Sequence, residues 1–181
     1  MGKGHAGLLA LALWLASPLA CASPAFEAML RQADAVRSSD PEQFATLLGQ
    51  LNASIGSASP YQREQLEYLK AYQLAYSGRF DLGIQAAKDL FENSDDVRTR
   101  YRAGALIVNA YASTREFSEG LRYLNMLMPL TDQIEDPELR HHGWAAAGSI
   151  SNHVGQYEEG RRYSDLILAD SPTPRTECFA A

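Results

Sequence analysis

Three short segments recur along this chain: Gly78-Arg79-Phe80-Asp81-Leu82-Gly83, Arg115-Glu116-Phe117-Ser118-Glu119-Gly120 and Gly155-Gln156-Tyr157-Glu158-Glu159-Gly160. Each sets an aromatic residue three positions before a glycine. They begin at residues 78, 115 and 155, a repeat of about 40 residues. Each is flanked on both sides by sequence with helical periodicity. A unit of this length that turns at a fixed place cannot bury its apolar face alone, so neighbouring units must stack. The expected fold is all-α, a row of antiparallel helical hairpins with turns at Gly78, Arg115-Glu116 and Gly155. Stacked hairpins present grooves, so function is to be sought on a groove.

Between these turns the helices announce themselves. Phe26, Met29, Leu30, Ala33 and Val36 recur at three- and four-residue steps on one face, and Phe44, Leu47, Leu48, Leu51 and Ile55 form a second stripe. Asp40-Pro41, Ser59-Pro60, Asp136-Pro137 and Thr173-Pro174 each pair a side chain able to accept amide hydrogen bonds with a proline suited to the first helical turn. The expected division is an N-terminal helical pair over 24–56 and three hairpins over 57–172. Their helices are placed near 60–77, 81–91, 96–113, 117–130, 137–153 and 157–169. A further helix starts within 173–181 and reads as cut in mid-repeat. No strand-like alternation or low-complexity tract interrupts this order.

Residues 1–22 read as a secretory signal peptide: Lys3, an apolar run from Ala6 to Ala20, then small residues around Ala20-Cys21-Ala22. The run is too short for an ordinary membrane-spanning helix. Lipidation of Cys21 fits less well, because Pro18 stands where lipoprotein signals usually carry leucine. Cleavage after Ala22 would leave Cys178 as the one thiol, so the exported fold must be held by packing rather than by an internal disulfide. The chain carries 16 basic and 22 acidic residues, a net charge of −6. The basic residues are scattered and form no stripe to track phosphates, which disfavours nucleic acid.

The third unit holds Trp144, Gly148, Gly155, Tyr157 and Pro172 in the order and spacing of a tetratricopeptide repeat. In that register Trp144 fills the gap between paired helices, Gly148 lets backbones approach, and Gly160 lies at the closest crossing. A tetratricopeptide-like superhelical stack is therefore the expected architecture; hairpin packing of another repeat family is the alternative. Four further segments carry a closer likeness: Arg100-Tyr101-Arg102-Ala103-Gly104-Ala105-Leu106, the run from Tyr111 to Phe117, Leu139-Arg140-His141-His142-Gly143, and the run from Leu168 to Ala180. These resemble the extracytoplasmic helical-repeat sensor region of bacterial membrane-bound GGDEF-type diguanylate cyclases. In that family a signal peptide and helical repeats precede a membrane helix and a cytoplasmic cyclase domain. No Gly-Gly-Asp-Glu-Phe motif occurs here, so the resemblance implies a sensor portion without the catalytic activity.

No nucleophile elbow, Walker loop, paired CxxC or HExxH motif is present, and neither a catalytic role nor a cofactor is expected. Glu138 and His142 lie four apart on one helix and could hold a metal, though a solvated helix start explains them as well. Cys178 has no identifiable helper that would make it reactive. In tetratricopeptide arrays the first helix of each pair lines the concave face. That register places Gln65, Tyr68, Tyr72 and Tyr76 in the groove from the first unit. It adds Arg102, Asn109 and Ser113 from the second, and His142, Ser149, Asn152 and His153 from the third. Of these, Tyr68, Tyr72, Arg102, Asn109, His142 and Asn152 are the candidate partner contacts: aromatics supply area and amides grip a backbone. Tyrosines at this spacing serve equally as packing residues. The expected function is binding of a protein, peptide or small ligand by an exported, periplasmic sensor domain. A periplasmic assembly scaffold is the nearer alternative and a small metal-dependent enzyme the distant one.

Overall fold

The computed structural model describes residues 23–170 and 173–179, and every regular element among them is helical. The expected signal peptide, Cys21 and Pro172 lie outside the described residues. The helices are α1 (Pro24–Val36), α2 (Pro41–Ala53), α3 (Pro60–Tyr76), α4 (Phe80–Asn93), α5 (Val97–Thr114), α6 (Phe117–Leu127), α7 (Pro137–His153), α8 (Tyr157–Ala169) and the single turn α9 (Pro174–Glu177).

Local chemistry sets these boundaries. Ser23, Asp40, Ser59, Asp96, Asp136 and Thr173 each accept a hydrogen bond from a first-turn amide, and all but Asp96 are followed by proline. Ser59 and Gln62 complete a reciprocal capping box. Three helix ends are built alike. Arg79 N–H donates to Leu74 O at 2.9 Å, Glu116 N–H to Tyr111 O at 3.0 Å and Gln156 N–H to Ser151 O at 2.8 Å. These six-residue closures need a left-handed residue just before the donor. Gly78 (φ 82°) and Gly155 (φ 78°) supply it, and in the middle unit Arg115 takes the same conformation at φ 64°. Helix α6 stops at Leu127, short of the expected residue 130. Pro129 has no N–H to continue the ladder, and residues Met128–Gln133 tighten into a 3₁₀ turn.

Each helix packs on its sequence neighbour, and α5 packs also on α3 and α7. The aromatic-to-glycine units explain the close crossings. A β-carbon on Gly83 would lie 2.7 Å from the Ala75 amide nitrogen, and one on Gly120 2.3 Å from Ile150 Cδ1. The expectation for Trp144 is corrected: it is only half-buried, stacking on His141 at 5.8 Å. The large aromatic filling the space between first helices is Tyr101, wholly buried, its hydroxyl 3.2 Å from Thr131 Oγ1 and donating to Arg140 O at 3.3 Å. Its ring lies over Gly143, where a β-carbon would come within 2.0 Å of the hydroxyl oxygen. A β-carbon on Gly148 would make ordinary contacts of 3.5 Å. The tight approach on α7 is therefore at Gly143, not at Gly148.

Candidate functional site

A groove of about 550 Å³ runs across the molecule. Its walls come from α1, α3, α5 and α7, with Phe179 after α9 at one end; no residue of α2, α4, α6 or α8 lines it. Tyr68, Tyr72, Arg102, Asn109 and His142 all line this groove, and so does Tyr76. Asn152 does not. It is the penultimate residue of α7, with its amide at the α8 crossing, against Gly160. Gln65 is buried beneath the wall, donating to Thr99 Oγ1 at 2.6 Å and accepting from Arg102 at 2.8 Å. Ser113, Ser149 and His153 lie on exposed surface outside the groove, His153 stacked on Phe117.

The groove's first end is aromatic and cationic. The Arg102 guanidinium lies 3.9 Å from the Tyr68 ring centroid and the Arg37 guanidinium 5.2 Å from that of Tyr72. Tyr72 stacks on Tyr76 at 4.1 Å and meets Phe44 edge-on at 6.0 Å. Both guanidiniums donate to one carboxylate oxygen, Oδ1 of Asp34. The Arg37 and Arg102 side chains are 9% and 16% exposed, whereas that of Asp34 is 37% exposed. Burial opposes the charge on Arg37. Tyr68, the Asp34 carboxylate and Tyr72 outweigh it, and the net shift of the Arg37 pKa is upward. Burial, then neighbouring Tyr76, holds the Tyr72 hydroxyl well above its ordinary range, so it is neutral at physiological pH. The second end carries Asp136 with Arg98 at 3.3 Å, together with Glu138, Leu139, His142 and the Phe179 ring 5.3 Å from His142. The groove is thus polar along its length, with surplus positive charge at the α1 end and carboxylates at the α7 end.

Asp34 and Arg37 are not among the candidate contacts, because those are taken from the first helices of the three repeat units and the N-terminal helical pair over 24–56 lies outside them. The available signal was their three-residue spacing beside the apolar stripe of Phe26, Leu30 and Ala33. The adjacent histidines do diverge. His142 faces the groove, while His141 is buried at the far end of α8, its Nε2 3.1 Å from Asp170 O and its Nδ1 without a hydrogen-bond partner. Arg140 grips the Asp170 carboxylate there at 2.9 and 2.8 Å. Cys178 is exposed, its thiol donating to Pro174 O at 3.7 Å. Among the described residues no group of three or more His, Cys, Asp or Glu side chains is placed to hold a metal ion, and no helix is long and apolar enough to cross a membrane. Comparison with protein-family models, with curated proteins and with solved structures gave no match.

Proposed function

We propose that this chain is a non-catalytic, tetratricopeptide-like binding module, and that it forms the exported sensor portion of a bacterial signalling protein of the diguanylate cyclase type. One observation carries the binding half: every helix that lines the groove is the first of its pair, and each of the first three pairs plus α7 contributes. Stacked hairpins expose a shared surface of this kind, suited to an extended partner. The aromatic and guanidinium side chains along it are the types that dominate binding energy at interfaces. The sensor half rests on the resemblance, whose segments 100–106 and 139–143 fall on the inner helices α5 and α7.

Selection of peptides from a random display library on the folded protein tests the binding half. For the selected peptide, Tyr72→Ala and Arg102→Ala should each weaken binding by about tenfold, the ordinary cost of a central aromatic or arginine contact. Leu82→Ala and Arg162→Ala, on the outer helices, should leave it unchanged. The reverse pattern would put the binding surface on the outer helices and overturn the groove assignment. The genomic reading frame after Ala181 tests the sensor half: an in-frame membrane helix and cyclase domain are expected, and their absence would favour a periplasmic scaffold.

A further inference from the structure

The arginines that line the groove are already matched inside the protein. Arg37 and Arg102, the two covered guanidiniums, share Oδ1 of Asp34. Arg31 lies 3.7 Å from Glu27, and Arg98 3.3 Å from Asp136. A charged ligand gains little here, because drawing a covered guanidinium off its carboxylate leaves an ion unpaired. The aliphatic lining is withdrawn as well: Leu106 and Leu139, its largest aliphatic residues, are both buried. What stays open is of two kinds. The first is a ring. Tyr72 covers one face of Tyr76 at 4.1 Å, yet Tyr76 is 64% exposed, so the stack ends on an open tyrosine. The second is hydrogen-bonding capacity. Both guanidinium bonds to Asp34 fall on Oδ1, and a carboxylate has about four acceptor positions, so Oδ2 can still accept. Asn109 is half-buried in the lining. Among the described residues the side-chain bond it receives, from Ser113 at 2.9 Å, goes to its backbone carbonyl and leaves the side-chain amide uncommitted.

From this geometry we infer that the groove takes an uncharged oligosaccharide, with one pyranose ring laid on Tyr76 and sugar hydroxyls bonded to the Asn109 amide and the Asp34 carboxylate. The inference rests on the groove being the binding surface. Each open feature has its counterpart in such a ligand. One face of a pyranose presents C–H groups, which meet the electron-rich face of a tyrosine ring. The rim of the sugar carries hydroxyls, each a donor and an acceptor with two lone pairs. A hydroxyl donates to Asp34 Oδ2 while Oδ1 keeps both guanidiniums. Neighbouring hydroxyls on one ring match the N–H and C=O that the Asn109 amide holds side by side. No ion pair is broken and no charge is brought in. An extended peptide fits less well. Its aliphatic side chains face leucines that are already covered, and its charged ones face arginines that already have partners.

The test titrates three uncharged tetrasaccharides into the isotopically labelled full chain: β-1,4-linked glucose, β-1,4-linked N-acetylglucosamine and α-1,4-linked glucose. A galacturonate tetramer and the peptide acetyl-Tyr-Gly-Leu-Tyr-amide serve as the charged and the peptide comparisons. Backbone and side-chain amide resonances are followed. At least one neutral sugar should move the Tyr76 and Asn109 signals in a saturable way, and the sugar that does so identifies the linkage. Its affinity should hold as salt rises from about 50 to 500 mM, since no ions are exchanged. Tyr76→Ala should weaken that binding about tenfold, the loss of one stacking contact, and Tyr76→Phe should keep it because the ring carries the contact. Asn109→Ala should weaken it about fivefold. No saturable shift from any of the three sugars at about 5 mM would overturn the inference. So would tighter, salt-sensitive binding of the galacturonate. Tighter binding of the peptide than of every sugar would refute the sugar while leaving the groove as the binding surface. Shifts confined to α4, α6 and α8 would refute the groove itself. The comparison of sugar with peptide needs no mutation, so it stands even if a variant unfolds.

Discussion

Two glycines in α7, Gly143 and Gly148, should respond in opposite directions to the same substitution. Both sit in the middle of a helix, where replacing glycine by alanine gains about 1 kcal/mol of helix propensity. At Gly148 the new methyl group would touch Gly160 O and Tyr163 Cβ at 3.5 Å, ordinary contact distances. Gly148→Ala should therefore stabilise the protein by about 0.5–1 kcal/mol. At Gly143 the methyl would fall 2.0 Å from the Tyr101 hydroxyl oxygen, 2.4 Å from Cζ and 2.7 Å from Cε1. Tyr101 is wholly buried and has nowhere near to go. Moving it costs the overpacking strain of about 1–3 kcal/mol. It also breaks hydroxyl contacts to Thr131 and Arg140 O worth about 1 kcal/mol each. Set against the propensity gain, Gly143→Ala should destabilise by about 2–4 kcal/mol. Urea unfolding followed by far-ultraviolet circular dichroism reads both values. Tyr101→Phe should relieve part of the Gly143→Ala penalty, since it removes the nearest atom, so the double mutant should fall short of the summed single effects. A stabilising Gly143→Ala would show that Tyr101 does not pack over α7 and would break the α5–α7 interface described above.

The remaining expectations are independent of that interface or probe it differently. Arg115 holds a left-handed conformation with an exposed side chain, so Arg115→Gly should raise stability by up to about 1 kcal/mol in the same urea assay, and a loss would mean that the side chain holds the turn. Asp136→Ala removes the acceptor for the Glu138 and Leu139 amides and should cost about 1 kcal/mol, with the early amides of α7 exchanging faster by hydrogen–deuterium exchange. Burial pushes the Tyr101 hydroxyl from 10.0 up to about 12. The folded state therefore keeps that proton over a range where the unfolded chain has lost it, and stability present below pH 10 is lost as pH rises toward 12. Tyr101→Phe should flatten part of this alkaline decline; an unchanged slope would show that the hydroxyl loses its proton as readily in the fold as in the unfolded chain.

Features governed by near neighbours in the chain were legible from sequence. Proline-led caps and the three turns depend on backbone chemistry within about six residues, so Arg115 could be placed in a glycine position from register alone. The all-helical class follows from the apolar spacing, as in Phe26, Leu30 and Ala33 on α1. Pro129 was equally local, yet its effect on α6 was passed over. What remained hidden was long-range. The crossing of Tyr101 over Gly143 depends on how α5 and α7 meet, and the pattern around Trp144 drew attention to the wrong aromatic. Of the candidate contacts, Tyr68, Tyr72, Arg102, Asn109 and His142 share one helix face per unit, so a single register choice placed them together. Asn152 is ten positions beyond His142 on α7, and by then the helix has carried its face toward α8. The bond between Asp34 and Arg102 joins residues 68 positions apart. No spacing rule reaches that far.

That last bond changes what the N-terminal pair is for. A terminal hairpin that only covered exposed apolar surface would need the buried face of Phe26, Leu30 and Ala33 and nothing more. Here α1 also turns a second face toward the groove, with Arg31, Asp34 and Arg37 lining it. Asp34 reaches past α3 to Arg102 on α5, so the cap and the groove share one charge cluster. Thermodynamic linkage then couples them in both directions. A change that frees Arg102 from Asp34 loosens one tie between α1 and the array, and a change that loosens α1 frees Arg102 to the same degree. The coupling is bounded by the strength of a partly exposed ion pair, about 1 kcal/mol. Burial of Phe26, Leu30 and Ala33 on the apolar face of α1 holds the helix in place whether or not that pair is made.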